Sequence, residues 1–437
     1  MGGNTKDTEA ILAKLNIQAL NPMQEQAYTT IAAQDEVVLL SPTGTGKTLA
    51  FLLPLLETLD ATLMAVQMLI LVPSRELAIQ IEQVVRDMGS GHKANAVYGG
   101  RASYKDRTEL KHPPSILIGT PGRVADHIRN ETVDTSYITT LVLDEFDKSL
   151  EVGFSDEMME ILEGLPNLKK KVLTSATENV EIPDFVELRA PARLEFLKED
   201  SSQLQVRTVV SPSDDKRDTL VELLHHIGPR NGIIFCNFKE TISLVSDFLE
   251  AHGIDHGCFY GGLEQRDREH ALIKFRNGTY NLLVATDLAA RGIDVPEMDF
   301  IIHYELPHGE AEFVHRNGRS ARMNAHGSAY VLKAAKKRLP PFIRGAEELT
   351  LSDQQSDLST AWDTLFISGG RKDKISKGDI AGLFFKQGQL TKDELGVIEL
   401  KQDCTYVAVP SSKTKQLVDL LNNTRLKKKK VRITRLD

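Results

Sequence analysis

The sequence predicts an α/β protein: two tandem parallel-sheet domains followed by a small α+β unit. Short runs of Val, Ile and Leu recur in two series. The first is EVVLL (36–40), MLILV (68–72), SILIG (115–119), LVLD (141–144) and KVLTS (171–175). The second is GIIFC (232–236), NLLVAT (281–286), DFIIHY (299–304) and SAYVL (328–332). Unbroken apolar runs between longer amphipathic stretches mark strands buried on both faces, because a sheet with one wet face alternates instead. Two polar stretches interrupt the pattern, KEDSSQLQVR (198–207) and RLPPFIRGAEELTLSDQQSD (338–357). They divide the chain into expected domains at 1–200 and 201–345, a linker at 346–361 and a unit at 362–437.

Composition bounds the remaining choices. A chain of 437 residues is long enough for two or three cores, and 41% hydrophobic with 26% charged residues is ordinary for a globular protein. Cys236, Cys258 and Cys404 show no metal-ligand spacing, which argues against a structural zinc or a disulfide framework and suits a reducing compartment. The start, MGGNTKDTEAILAKLN, lacks the basic and apolar regions of a signal peptide, and no apolar run approaches membrane-spanning length. The expectation is a cytoplasmic protein without a membrane partner, a monomer. A net charge of −8 looks wrong for a nucleic-acid binder until it is divided. Residues 362–437 carry sixteen Lys/Arg against nine Asp/Glu, a net of +7, leaving −15 for the rest. A tail of opposite sign, ending in LKKKKVRITR (426–435), suggests an appended polyanion-binding module.

Two stretches carry chemistry. VVLLSPTGTGKTLAF (37–51) is a strand, a Gly-rich turn and a helix start. Gly44 and Gly46 let the backbone N–H groups of Ser41, Thr43, Thr45 and their neighbours surround phosphate oxygens. Lys47 supplies a cation to the β/γ-phosphates and Thr48 a hydroxyl to Mg²⁺. Ser41 stands where the strict phosphate-loop pattern has its first glycine. LVLDEFDKSL (141–150) ends an apolar strand on Asp144, Glu145 and Asp147. Neighbouring carboxylates are costly unless a cation compensates. In a phosphate-loop fold the first reaches Mg²⁺, directly or through water, and the second orients and deprotonates the attacking water.

Here the sequence resembles the DEAD-box RNA helicases, over about residues 15–335. The ordered series is NPMQ (21–24), SPTGTGKT, PSRELA (73–78), GG (99–100), TPGR (120–123), DEFD (144–147), SAT (175–177), IIFCN (233–237), QRDR (265–268), ATDLAARGID (285–294) and HRNGRSAR (315–322). The resemblance implies two RecA-like domains of a superfamily 2 helicase core, which close on ATP, Mg²⁺ and RNA. It makes Gln24 the reader of adenine and Asp294 the contact to ribose. Arg319 and Arg322 become arginine fingers beside Lys47, Asp144 and Glu145, and Asp147, Ser175, Thr177 and His315 become coupling residues. Contacts to the RNA backbone fall to Pro73, Arg75, Gly100, Thr120, Gly122 and Arg123 in the first domain. Gln265, Arg268, Thr286, Arg291 and Gly292 take that part in the second. The chain departs from the family at Phe146, where alanine is usual, and at Asn317 and Ala321 in place of isoleucine and glycine. It also has no aromatic upstream of Tyr28 to stack on adenine. Phe146 either packs into the interior or displaces Asp147.

The tail reads strand, helix, strand, strand, helix, strand, as in an RRM-type sheet. ISGGRKDKISKGDIAGLF (367–384) resembles the C-terminal domain of bacterial DEAD-box helicases that act on ribosomal RNA. Tyr406 is the one aromatic of its third strand, so basic residues would dominate binding: Arg371, Lys372, Lys374, Lys377 and the lysines at 427–430. The expected activity is an RNA-stimulated ATPase that opens short RNA duplexes in ribosomal RNA remodelling or ribosome assembly. A DNA motor of the same superfamily and an ATP-dependent RNA clamp are the rivals.

Overall fold

The computed structural model of the chain describes residues 8–42, 44–100, 103–177, 181–197, 204–287, 298–318, 320, 327–343, 345–352 and 355–436. The chain forms two compact units, the first ending at Ser201 and the second beginning at Ser202.

The first unit is built on β1 (Glu36–Leu40), β2 (Met68–Leu71), β3 (Ala94–Val97), β4 (Ile116–Gly119), β5 (Thr140–Leu143), β6 (Lys170–Ser175) and β7 (Ala192–Glu195). They form one parallel sheet in the order β3-β4-β2-β5-β6-β1-β7. Its helices are α1 (Thr8–Lys14), α2 (Pro22–Ala33), α3 (Lys47–Leu56), α4 (Arg75–Met88), α5 (Ser103–Leu110), α6 (Pro121–Arg129), α7 (Phe146–Val152) and α8 (Ser155–Glu163). The β1 run explains its own composition. Val37 and Leu39 enter the core that holds Phe51 and Leu52 of α3, whereas Val38 and Leu40 enter the opposite core with Val124 and Ile161. Successive side chains of a strand point to opposite faces, so a sheet covered twice needs apolar residues at every position.

The second unit repeats this plan. Its strands are β8 (Leu204–Ser211), β9 (Gly232–Phe235), β10 (Gly257–Phe259), β11 (Leu282–Ala285), β12 (Phe300–His303), β13 (Gly327–Ala334) and β14 (Glu347–Glu348). They pair in parallel in the order β10-β11-β9-β12-β13-β8-β14. The helices are α9 (Arg217–Ile227), α10 (Lys239–Ala251), α11 (Gln265–Arg276) and α12 (Glu310–Asn317). The described residues of 346–361 do not hang free. Glu347 and Glu348 pair with Arg207 and Thr208 of β8, and Leu349, Leu351 and Leu358 pack on the core beneath. His225 Nδ1 lies 2.9 Å from the Ser356 carbonyl, and His226 Nδ1 2.9 Å from Ser352 Oγ.

The tail belongs to the same compact unit. It consists of β15 (Trp362–Ile367), α13 (Lys377–Lys386), β16 (Ile398–Leu400), β17 (Thr405–Pro410), α14 (Thr414–Leu421), the two-residue strands β18 (Arg425–Leu426) and β19 (Lys429–Lys430), and β20 (Ile433–Arg435). The antiparallel sheet runs β16-β17-β15-β20. Leu365, Ile367, Val407, Val409 and Ile433 bury one face against Ile380, Phe384, Leu417 and Leu421 of the two helices.

The other face, where an RRM stacks bases, is covered by α11. Tyr406, 7% exposed, clusters with Ile273 and Leu436, and Phe366 packs beside them. The Arg276 guanidinium donates twice to the Glu399 carboxylate, at 2.7 and 2.9 Å. Asn277 Nδ2 donates to Thr364 Oγ1 at 3.1 Å, and the Thr279 and Thr364 hydroxyls are 2.8 Å apart. An aromatic side chain buried in this way contributes about 1.5–3 kcal/mol.

Candidate nucleotide site and RNA interface

In open parallel sheets, ligands bind beyond the carboxyl ends of the strands. The carboxyl ends of β5, β6 and β1, three neighbours in the first sheet, bring together most of the first-domain residues expected at the nucleotide.

The loop after β1 is held from within. The Ser41 N–H donates to the Ser175 carbonyl at the end of β6, 3.0 Å away. Its hydroxyl lies 2.8 Å from Thr45 Oγ1, which donates to the Pro42 carbonyl at 2.9 Å. Gly44 and Gly46 have φ of 84° and 86°. Gly46 is doubly constrained, because a Cβ there would sit 2.4 Å from Gln24 Nε2. Thr43 lies outside the described residues. Lys47 opens α3 and donates from Nζ to the carbonyls of Ser41, at 2.5 Å, and Pro42, at 2.9 Å. Thr48 follows in the first turn of the same helix.

Gln24 reaches this loop from α2. Asn21 and Gln24 form a capping box: the Gln24 N–H donates to Asn21 Oδ1 at 2.9 Å, and the Asn21 N–H to Gln24 Oε1 at 3.0 Å. Gln24 Nε2 donates to the Gly46 carbonyl at 3.3 Å, and Asn21 Nδ2 to that of Thr45 at 3.0 Å. The amide of Gln24 therefore anchors the phosphate loop in this conformation.

The tetrapeptide spans the turn from β5 into α7. Asp144 is buried, and burial together with the neighbouring Glu145 pushes its pKa up to about 6, against the Thr174 hydrogen bond and the nearby Lys47. Glu145 occupies left-handed backbone space, φ 48° and ψ 49°. Phe146 is 1% exposed and packs among Leu143, Val186 and Leu173, so its bulk is absorbed by the core. Asp147 keeps its contact: Thr177 Oγ1 donates to Asp147 Oδ2 at 3.0 Å, and Ser175 Oγ accepts the Thr177 N–H at 2.9 Å. The buried Lys148 places Nζ 3.7 Å from Asp147 Oδ2.

A Mg²⁺ ion fits this donor set. Asp144 and Thr48 offer hard oxygen ligands, and Asp144 is a buried carboxylate beside a second one. Among the described residues no group of three His, Cys, Asp or Glu side chains could hold a metal. Mg²⁺ takes one or two carboxylates and completes its shell with phosphate and water.

The residues expected to track RNA differ in availability. The Arg75 guanidinium lies against the Gly99–Gly100 backbone, and a Cβ on Gly100, whose φ is 86°, would fall 2.5 Å from its Nη1. Pro73 precedes α4 and is half-buried, while Thr120 caps α6 and is buried. Gly122 has no tight neighbour, its nearest being Glu157 Oε1 at 3.9 Å. Arg123 is committed elsewhere: Nε and Nη2 donate to Asp106 Oδ2 at 2.9 and 2.8 Å, and Nη1 to Ser103 Oγ at 2.9 Å. In the second unit Thr286 sits just after β11 and is half-buried. Gln265 begins α11 and donates to Glu269 at 3.3 Å. Arg268 is 8% exposed, with its guanidinium 5.0 Å from the Phe259 ring centroid, so it is turned inward. His315 is half-buried on α12. Its neighbour Arg316, fully buried, donates to Asp287 at 2.7 and 2.5 Å, to Asn237 Oδ1 at 2.7 Å and to the Glu305 carbonyl at 2.7 Å. Arg291, Gly292, Asp294, Arg319 and Arg322 lie outside the described residues.

In the tail, Lys372 and Lys374 are exposed and Arg371 half-buried on the turn leading into α13, and the exposed Lys377 begins that helix. The four lysines at 427–430 divide into two pairs. Lys429 Nζ binds Asp373 at 2.7 Å and Lys427 Nζ binds Asp379 at 3.0 Å, which fastens the β18–β19 hairpin to that turn. Lys428 and Lys430 remain exposed.

Comparison with known proteins places these features in a family. Residues 21–185 match the DEAD/DEAH box helicase family, 215–324 the helicase conserved C-terminal domain and 364–435 the DbpA RNA binding domain. The ATP-dependent RNA helicase DbpA of Escherichia coli (strain K12) is 32% identical over 97% of this chain and 95% of its own. That of Bacillus subtilis (strain 168) is 30% identical over 94% of each. The chain is a DEAD-box RNA helicase. S. cerevisiae Dbp5 bound to RNA and ADP BeF3 superposes on this helicase with a TM-score of 0.66 at 27% identity, covering 76% of this chain and 88% of that one. Mss116p bound to ssRNA and AMP-PNP, at 24% identity and a TM-score of 0.69 over 80% of this chain and 78% of its own, shares the fold. No helix among the helicase's described residues is long and apolar enough to cross a membrane.

Several polar residues of this helicase were not visible as site residues in sequence. Asn21 was the most accessible of them, since Asn-Pro-x-Gln is a helix N-terminus signature. Asp106 carries no local pattern, and Asn237 and Asp287, though they fall within IIFCN and ATDLAARGID, give no local sign of their partner; only the fold brings these residues to Arg123 and Arg316.

Proposed function

We propose that this helicase hydrolyses ATP when RNA draws its two parallel-sheet domains together around the nucleotide, and that its tail addresses it to structured ribosomal RNA. The reading rests above all on the hydrogen-bonded run across three strand ends: Ser41 to Ser175, Thr177 to Asp147, and Thr174 to Asp144 at 2.5 Å. A change at the phosphate loop thereby meets both carboxylate positions without crossing solvent.

In this reading Lys47 exchanges its two loop carbonyls for the β/γ-phosphates. Thr48 and Asp144 would hold Mg²⁺, which when bound would neutralise developing phosphate charge. Glu145 orients the attacking water and takes its proton. Arg319 and Arg322 supply the guanidinium charge that a phosphoryl-transfer site needs from its second domain, and Asp294 holds the ribose. Gln24 reads adenine after releasing Asn21 or Gly46. Asp147, Ser175, Thr177 and His315 pass the state of the γ-phosphate onward. Pro73, Arg75, Gly100, Thr120 and Gly122 follow the sugar–phosphate backbone with Thr286, Arg291 and Gly292, so binding there carries little sequence information. Arg123, and Gln265 with Arg268, join them only after leaving their present partners. The tail binds through the basic surface around Arg371, Lys372, Lys374, Lys377, Lys428 and Lys430, since α11 covers the sheet face.

The test is steady-state ATPase activity without nucleic acid and with single-stranded DNA, generic RNA and ribosomal RNA. Stimulation by RNA alone, with ribosomal RNA saturating at the lowest concentration, is the expected result. Equal stimulation by DNA would indicate a DNA motor, and tight ATP-dependent RNA binding without turnover a clamp.

A further inference from the structure

We propose that Thr174 is a positioning residue for the nucleotide site: its single hydroxyl sets the Asp144 carboxylate and the Glu145 backbone together. The proposal deepens the reading of Asp144 and Glu145 given above and depends on it.

Thr174 is the penultimate residue of β6 and is wholly buried. Its Oγ1 donates to Asp144 Oδ1 at 2.5 Å and accepts the Glu145 N–H at 3.3 Å. A hydroxyl has one proton to give and lone pairs to receive with. Here the proton goes to one member of the carboxylate pair and a lone pair to the backbone of the other. A methyl group in the same place offers neither.

The backbone explains why such a group is needed. Glu145 lies in left-handed space, which L-residues with a side chain adopt at a cost and keep only when the surroundings hold them. Its carbonyl accepts the N–H groups of Lys148, at 2.9 Å, and Ser149, at 3.2 Å, and so begins α7. The Asp144 N–H is fixed on the Leu71 carbonyl of β2 at 3.0 Å. Between these anchors lies the turn that separates the two carboxylates, and Thr174 is the side chain that ties its amide down. Without the hydroxyl, a half-buried N–H and a buried carboxylate each lose a partner, and the turn loses a contact that keeps it left-handed.

The same strand end serves the other acidic residue by a different route. Ser175 and Thr177, the outer residues of the SAT motif, lead to Asp147, whereas Thr174, one residue earlier, leads to Asp144. Adjacent positions of a strand point to opposite faces, so one strand end serves two acidic residues without competition.

The experiment compares Thr174→Val and Thr174→Ser in the full chain with the unaltered protein. It uses two readouts: binding of a fluorescent ADP analogue as Mg²⁺ is titrated, and RNA-stimulated turnover resolved into kcat and KM. Removing a hydrogen bond to a charged group costs about tenfold to a hundredfold. Thr174→Val is therefore expected to lose about that much in kcat, and to need about tenfold more Mg²⁺ for half-maximal binding. In EDTA it should bind the analogue as the unaltered protein does. Thr174→Ser should stay within about twofold on both readouts, because the hydroxyl is retained. Thermal unfolding of each preparation accompanies the measurements, and Thr174→Ala replaces the valine variant if that protein does not fold. A hydroxyl-free variant with unchanged kcat and Mg²⁺ dependence would overturn the proposal. So would a serine variant as impaired as the valine one. An unaltered protein whose nucleotide binding ignores Mg²⁺ would overturn the parent reading as well.

Discussion

Glu145 is held in a backbone conformation that costs about 1–3 kcal/mol for a residue of its kind. Strain of that size at a buried turn beside Asp144 places the two carboxylates where an unstrained turn would not. Glu145→Gln keeps the shape and removes the proposed base, so kcat for ATP should fall at least about a hundredfold with nucleotide affinity within a fewfold of the unaltered protein. Steady-state hydrolysis beside nucleotide titration checks this. His303 gives a second residue-scale expectation. It stacks on Phe313 with ring centroids 4.8 Å apart, and Nε2 lies 3.0 Å from Asn317 Oδ1. Burial, with the Arg316 charge added, pushes its pKa down to about 3. The unfolded chain takes up the proton near pH 6.5, so between there and pH 3 the unfolded state binds more protons than the folded one. The contribution is complete above about pH 6.5 and declines on acidification by up to about 1.4 kcal/mol per pH unit. Urea unfolding at pH 7, 6 and 5 should show that slope, and His303→Gln should flatten it. Residues of this scale were unevenly legible. Lys47 and Asp144 announce themselves by spacing, and Gln24 by the family resemblance of NPMQ. Thr174 looks like any β-branched residue in a strand, and its role depends on a partner thirty positions away. Asn317, a departure from the family pattern, acquires a physical account only beside His303.

Among the elements, the strands written as unbroken apolar runs were legible because both their faces are buried. Those that escaped lie at or near sheet edges. ANAV in β3 and ARLE in β7 bound the first sheet, GCF in β10 bounds the second, and β14 is two exposed glutamates paired through their backbone. β8 begins inside a stretch that reads as a polar break, because LQVRTVVS is buried at only some of its positions. α11 is the element whose second role no pattern disclosed. Its first turn carries Gln265 and Arg268, and its last turn carries Arg276 and Ile273, which receive the tail. The Arg276–Glu399 pair is bidentate and mostly shielded from solvent, with 23% and 16% of the side chains exposed. Pairs of this geometry are strong when desolvated. Arg276→Glu should destabilise the attachment of the tail by about 1–3 kcal/mol, and Glu399→Arg in the same chain should recover part of that loss. Hydrogen exchange in β16 and β17 would report both: faster in the single variant, slower again in the double.

For the whole molecule, the division of charge, −15 before residue 362 and +7 after it, is what the sequence says most plainly about RNA. The fold refines that statement by pairing Lys427 and Lys429 with aspartates and leaving Lys428 and Lys430 exposed. Replacing Lys428 and Lys430 by alanine should therefore reduce the salt slope of RNA binding by about two, whereas replacing Lys429 should mainly loosen the hairpin. Affinity measured across a KCl series separates the two. Removing residues 362–437 should leave stimulation by generic RNA in place and abolish any preference for ribosomal RNA.

The buried face of the tail sheet has a further consequence. A module on a slack linker offers its cargo at a concentration set by the length of chain between them, and that concentration changes little when a few residues are added or lost. Here β14, the histidine contacts of residues 352 and 356, and the α11 interface leave almost no such length to vary. On the proposed reading, RNA gripped by the tail would meet the second domain at one distance and one angle. Reach has been exchanged for aim, so a duplex a few base pairs too near or too far from the grip lies out of register, however tightly it is held.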